Sequence, residues 1–143
     1  MDAIGIGLIG YGMIGRVHTL AYRELPLFYP GQLAPLHLAM LCTSRAESAR
    51  AAAEEAGFDA WGTDVSTLVQ RDDVSVVDCS SPNYLHYTHV MAAIAAGKHV
   101  YCEKPLALNG AQARQLVQAA RQAGVQVGMT FNYRFVPAVQ RAR

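Results

Sequence analysis

Apolar residues fall along this chain in short runs separated by longer amphipathic stretches. The first run, residues 4–9 (Ile-Gly-Ile-Gly-Leu-Ile), is too short for a helix and reads as a buried parallel strand. Residues 13–24 follow as a helix, with Ile14, Val17 and Ala21 at helical spacing. Three prolines and Gly31 make 25–35 a loop, and 36–43 is the second strand. Residues 45–56 read as a helix ended by Gly57, 58–61 as a short strand, and Asp64 or Ser66 as the cap of a short helix to Val69. A strand over 74–80 leads to a helix over 84–96, ended by Gly97, and then to a strand over 98–102. Asn109 caps a helix over 110–123, Gly124 ends it, and 125–130 is the sixth strand. Residues 134–143 read as a loop entering a helix at Pro137.

Strands and helices in strict alternation, with short links, predict α/β architecture: a doubly wound parallel sheet, three layers α/β/α, of the Rossmann kind. There is no internal repeat and no linker, so residues 1–143 read as one domain. A chain of this length buries roughly 68–70% of its unfolded surface, enough for its own core.

Composition narrows the function. With 52% hydrophobic and 16% charged residues the chain is globular, and a net charge of +1 offers no field for nucleic acid or an anionic membrane. No run is long enough to span a bilayer, and Met1-Asp2 leads into the first strand without a basic leader, which predicts a cytoplasmic protein. Cys42, Cys79 and Cys102 lie in strand-like runs without a CxxC pair and read as reduced, buried thiols.

The chemistry begins at Gly10-Tyr11-Gly12-Met13-Ile14-Gly15, directly after the first strand and opening a helix. Gly10 suits the tight turn, Gly12 lets a pyrophosphate approach the backbone, and Gly15 lets the helix sit close to the strand. The helix N-terminus supplies free N–H groups for phosphate. The second strand ends Cys42-Thr43-Ser44-Arg45, without the acid that holds the ribose of NAD. Ser44 and Arg45 instead suit a 2′-phosphate, which favours NADP over NAD. The alternative is that Ser44 caps the next helix and Arg45 is solvated.

Ser81-Pro82-Asn83 ends the fourth strand, with Asn83 a cap or a cofactor contact and His86 in the first helical turn. His86 and His89 share a helix face, but no third ligand stands out and no metal site is expected. His18, His37, His89 and His99 read as structural. Glu103-Lys104-Pro105 ends the fifth strand, where open α/β sheets keep their ligands. The amine of Lys104 can hold a substrate hydroxyl or tune a base, and Glu103 can orient it or face the ribose. Taken alone, the tripeptide reads first as a solvated loop.

These motifs together, with Ala95 to Ala107 and Asn132-Tyr133-Arg134-Phe135, resemble the glucose–fructose oxidoreductase / inositol dehydrogenase (Gfo/Idh/MocA) family from Ile4 to about Val139. The resemblance implies an NAD(P)-dependent oxidoreductase acting on a sugar, cyclitol or related hydroxyl or carbonyl. Gly10, Tyr11, Gly12, Met13, Ile14 and Gly15 would line the pyrophosphate, and Ser44 and Arg45 the adenosine ribose. Ser81, Pro82, Asn83 and His86 would lie beside the middle of the cofactor. Glu103 and catalytic Lys104 would meet the nicotinamide and substrate, and Asn132 and Arg134 would border the cleft. It also implies a C-terminal substrate domain, absent from this sequence, and a homo-oligomer in the full-length protein. The expectation is therefore a cofactor domain with little turnover of its own; a stand-alone, non-catalytic dinucleotide-binding or regulatory module is the alternative.

Overall fold

In a computed structural model, which describes residues 3–142, each apolar run becomes a strand and each amphipathic stretch a helix. The strands are β1 (Ile4–Ile9), β2 (Leu36–Cys42), β3 (Ala60–Gly62), β4 (Val76–Cys79), β5 (His99–Cys102) and β6 (Val127–Met129). All pair in parallel, in the order β3-β2-β1-β4-β5-β6. The helices are α1 (Met13–Phe28), α2 (Ala46–Ala56), α3 (Val65–Val69), α4 (Asn83–Ala95), α5 (Gly110–Ala123) and α6 (Pro137–Arg141), with a 3-10 turn at Asn132–Phe135 before α6.

Side chains alternate across the strands, so the sheet buries two apolar layers. Leu8 and Leu41 pack with Ala52, Ala53 and Ala56 of α2 and with Phe58. Ile9, Met40 and Val77 pack on the other face with Leu68 of α3, Val90 and Ile94 of α4, and Leu116 of α5. Helices on both faces of a parallel sheet give the expected Rossmann-like α/β/α fold. Beyond β1, connections run one way to β2 and β3 and the other way to β4, β5 and β6. That reversal opens a crevice at the carboxyl ends of β1, β2 and β4, the usual ligand position in this architecture.

Several expectations change. The first helix does not stop at residue 24 but runs to Phe28 through Pro26, because a proline near a helix end forfeits only one late hydrogen bond, and Tyr29 N–H still reaches Leu25 C=O at 2.9 Å. Its sheet-facing side is not the Ile14–Val17–Ala21 stripe, which is exposed; Gly15 and Thr19 are buried instead. Strands β4 and β6 are shorter than read, and β3 starts two residues later. Neither Ser44 nor Asn83 caps a helix. Arg45 is the N-cap of α2, and Pro82 precedes α4 with Asn83 already in its first turn. Asp64, rather than Ser66, caps α3, and Asn109 caps α5 as expected. Met1, Asp2 and Arg143 lie outside the described residues.

Candidate cofactor cleft and the strand-end network

The turn after β1 is shaped by glycine. Gly10 has φ +93°, and a Cβ there would stand 2.6 Å from the Ser80 carbonyl. A Cβ on Gly15 would strike the carbonyl of Gly10, so α1 can approach β1 only with glycine at that position. Gly12 differs: a Cβ would meet nothing within 4 Å. The backbone is open there, and Gly12 begins α1 with no side-chain cap. First-turn N–H groups facing open space suit a pyrophosphate, which the chemistry of the turn therefore fits. Tyr11 packs beside the Leu8–Leu41 layer, with the Arg16 guanidinium 4.8 Å from its ring centre. Met13 and Ile14 lie on the exposed side of α1.

A cleft of about 300 Å³ opens from this turn. Gly10, Ser44, Ser81 and Pro82 line it together with Thr43, Tyr84 and His89. The sequence pattern puts Thr43 inside a strand and gives His89 a structural role, yet both line the cleft. At the β2 end, the Thr43 and Ser48 hydroxyls both donate to the Arg45 carbonyl, at 3.1 and 2.9 Å. The exposed Arg45 side chain has no hydrogen-bond or ion-pair partner among the described residues.

His86, expected at the cofactor, is buried instead. Its Nε2 lies 2.8 Å from the Ser81 carbonyl and its Nδ1 2.7 Å from that of Pro105. Both partners are carbonyl oxygens, which accept from a ring nitrogen that carries hydrogen. The ring thus ties the β4 exit to the segment after Lys104. Cys79 and Cys102, paired across β4 and β5, bring their sulfurs close to it; the three donor atoms lie within 4.8 Å of one another. The sequence paired His86 with His89, whereas parallel register joins it to two cysteines. All three cysteines are free and buried, and burial pushes the Cys42 thiol up to about 11.

At the end of β5, Lys104 is exposed and the Lys104–Pro105 peptide is cis. Glu103 Oε2 accepts the Lys104 backbone N–H at 3.1 Å. Its Oε1 lies 3.3 Å from His18 Nε2. His18 Nδ1 donates to Asp78 Oδ2 at 2.8 Å. The fully buried Asp78 also accepts from Tyr22 Oη at 2.7 Å and Ser80 Oγ at 2.9 Å. Burial works against charge on His18, but hydrogen bonding and charge from Asp78, and then from Glu103, outweigh it and raise its pKa. Burial and Asp78 likewise raise that of Tyr22. Sequence reading missed this network. Its one local signal was a carboxylate in the otherwise apolar run around Val76, Val77 and Cys79. Asn132 and Arg134 lie in the exposed 3-10 turn beyond β6 and do not line the cleft.

A parallel sheet of this order, a glycine turn opening α1 and a crevice at the strand reversal define a dinucleotide-binding domain. The chain belongs to the Gfo/Idh/MocA oxidoreductase family with an NAD-binding Rossmann fold, whose pattern matches residues 4–131. It is 36% identical to levoglucosan dehydrogenase of Pseudarthrobacter phenanthrenivorans over 144 residues, which cover 100% of this chain and 37% of that protein. A structure of levoglucosan dehydrogenase with NADH and levoglucosan superposes with a TM-score of 0.91 over 96% of this chain and 37% of that one. An NAD-binding oxidoreductase from Klebsiella pneumoniae is 48% identical, with a TM-score of 0.91 over 98% of this chain and 37% of that one. Inositol 2-dehydrogenase of Gluconacetobacter diazotrophicus is 40% identical over 136 residues, 92% of this chain and 38% of that protein. The chain thus spans little more than a third of each relative, and it is their NAD-binding oxidoreductase domain that it matches. Among the described residues, no helix is long and apolar enough to cross a membrane.

Proposed function

We propose that this chain is the cofactor-binding half of a cytoplasmic NAD(P)-dependent dehydrogenase, which moves hydride between nicotinamide and a hydroxyl or carbonyl carbon of a sugar or cyclitol. In the longer protein, a second domain supplies most of the substrate contacts and the surface for homo-oligomer assembly. The observation that carries this reading is the cleft joining Gly10, Ser44, Ser81 and Pro82 at the strand reversal. The turn from Gly10 to Gly15, through Tyr11, Gly12, Met13 and Ile14, receives the pyrophosphate on its N–H groups. Ser81, Pro82 and Asn83 flank the middle of the cofactor. Glu103 and Lys104 stand at its nicotinamide end, with Asn132 and Arg134 at the outer border. The bound nicotinamide supplies the hydride acceptor or donor. Lys104 holds the substrate hydroxyl and assists its deprotonation.

The unpaired guanidinium of Arg45, beside Ser44, favours NADPH through its 2′-phosphate. Fluorescence titration of the 143-residue chain is the test. NADPH is expected to bind about tenfold more tightly than NADH, a difference of ~1.4 kcal/mol, and Arg45→Ala to erase the difference. A preference for NADH overturns the phosphate reading, and binding of neither overturns the cofactor site. In a protein carrying both domains, Lys104→Ala is expected to lower kcat by about 100-fold or more with NADPH affinity unchanged. Turnover within a few-fold of wild type removes Lys104 from the reaction.

A further inference from the structure

His18 belongs neither to the glycine turn nor to the cleft lining, yet it stands between two carboxylates brought together at the ends of β4 and β5. Asp78 can only accept hydrogen bonds, so His18 Nδ1 carries a hydrogen. That leaves Nε2 to face Glu103. On a neutral ring Nε2 presents a lone pair to the carboxylate; on a protonated ring it presents an N–H and a positive charge. Contact with Glu103 therefore depends on the second proton of the ring.

The titratable groups around His18 are Tyr22 on α1, Asp78 on β4, and Tyr101 and Glu103 at β5, with the Tyr101 ring centre 5.6 Å away. Among the described residues, no lysine or arginine pairs with either carboxylate. When protonated, His18 is the counter-charge for both. Glu103 in turn holds the Lys104 backbone N–H.

We propose that His18 is a positioning residue: anchored by Asp78, it delivers a proton to the Glu103 contact and so holds the Glu103–Lys104 strand end in place for the nicotinamide end of the cofactor and the substrate. This rests on reading the chain as the cofactor half of a dehydrogenase. It predicts that the strand end loosens as the ring loses its proton, although His18 lies 85 residues before Glu103 in sequence.

The test uses the 143-residue chain, isotope-labelled, with the His18 ring and the Lys104 amide followed by NMR across about pH 6 to 9. The Lys104 amide is expected to shift with the His18 midpoint and to become flat in His18→Gln. Glu103→Gln changes the more accessible partner and leaves the Asp78 bond in place. It is expected to lower the His18 midpoint by about half a unit or more, because one of two negative neighbours is gone. NADH dissociation constants, measured in parallel, are expected to rise about fivefold across the wild-type titration and to vary less than twofold in both variants, since a positional loss of this kind is worth about 1 kcal/mol. A Lys104 amide that titrates unchanged in His18→Gln, or a His18 midpoint unmoved by Glu103→Gln, overturns the proposal. So does NADH affinity equally pH-dependent in wild type and variants. Failure of wild type to bind NADH or NADPH overturns the cofactor reading instead, and the two NMR titrations still decide whether His18 controls the strand end.

Discussion

At the scale of single residues, the glycine turn separates two tasks that one motif combines. Gly10 is required by the fold: its φ is positive, and the Ser80 carbonyl occupies the space a side chain would need. Gly10→Ala is expected to destabilise by at least ~2 kcal/mol, read in chemical denaturation. Gly12 carries no such constraint from the fold, since a Cβ there would meet nothing within 4 Å. Gly12→Ala is expected to stay within ~0.5 kcal/mol of wild-type stability while weakening cofactor binding about tenfold. Equal loss of stability in both variants would mean that Gly12 is architectural too. These roles were legible because the spacing is local. His18 and Asp78 were not, being 60 residues apart and joined only when α1 packs over β4. Their pairing has its own signature. His18 has a raised pKa, so the folded state holds more protons than the unfolded chain above the ordinary imidazole value of about 6.5. Its contribution is complete below that pH and is lost as pH climbs through the folded pKa. Thermal melts should therefore show wild type losing its advantage over His18→Gln as pH rises from about 6 to 9. An advantage that grows over that range would mean the ring is held neutral.

At the scale of elements, what could be read depended on how local the boundary signal was. Helix α5 was read to the residue because both of its ends are written in neighbouring positions. Asn109 accepts from Gln112 N at 3.0 Å, Gln112 Oε1 reaches back to Leu108 N at 3.1 Å, and Gly124 takes the left-handed turn. Asn109→Ala should cost about 1 kcal/mol in denaturation, and Asn109→Asp should restore most of it. Loss below a few tenths would show that α5 is held by Leu116 and Ala120 alone. Helix α1 misled the reading because its burial follows the site instead of an apolar stripe. Gly15 must approach Gly10, and His18 and Tyr22 must reach Asp78, so polar and small residues face the sheet while Ile14 and Val17 turn outward. Periodicity reports apolar packing and carries no record of a buried carboxylate that recruits polar partners.

At the scale of the whole molecule, the cleft exists only when the sheet is assembled. Its walls come from the ends of β1, β2 and β4, from Thr63 and Val65 where β3 leads into α3, and from α4, and no single segment of the chain contains them all. A cofactor that binds there therefore binds the folded state and not the unfolded chain. Ligand at 100 times its dissociation constant then adds about 2.7 kcal/mol. For a domain of this length that amounts to a rise in Tm of about 8–9 °C. NADPH is expected to produce such a rise in the wild-type chain, and NADH a smaller one at equal concentration. Gly12→Ala should melt with the wild type when unliganded and shift several degrees less with NADPH at that same concentration. Asn109→Ala, which removes a helix cap that is not part of the cleft lining, should melt lower yet shift as far as wild type. That pairing separates a damaged site from a damaged fold. Shifts reduced alike in Gly12→Ala and Asn109→Ala would tie ligand response to overall stability and remove the glycine turn from cofactor binding.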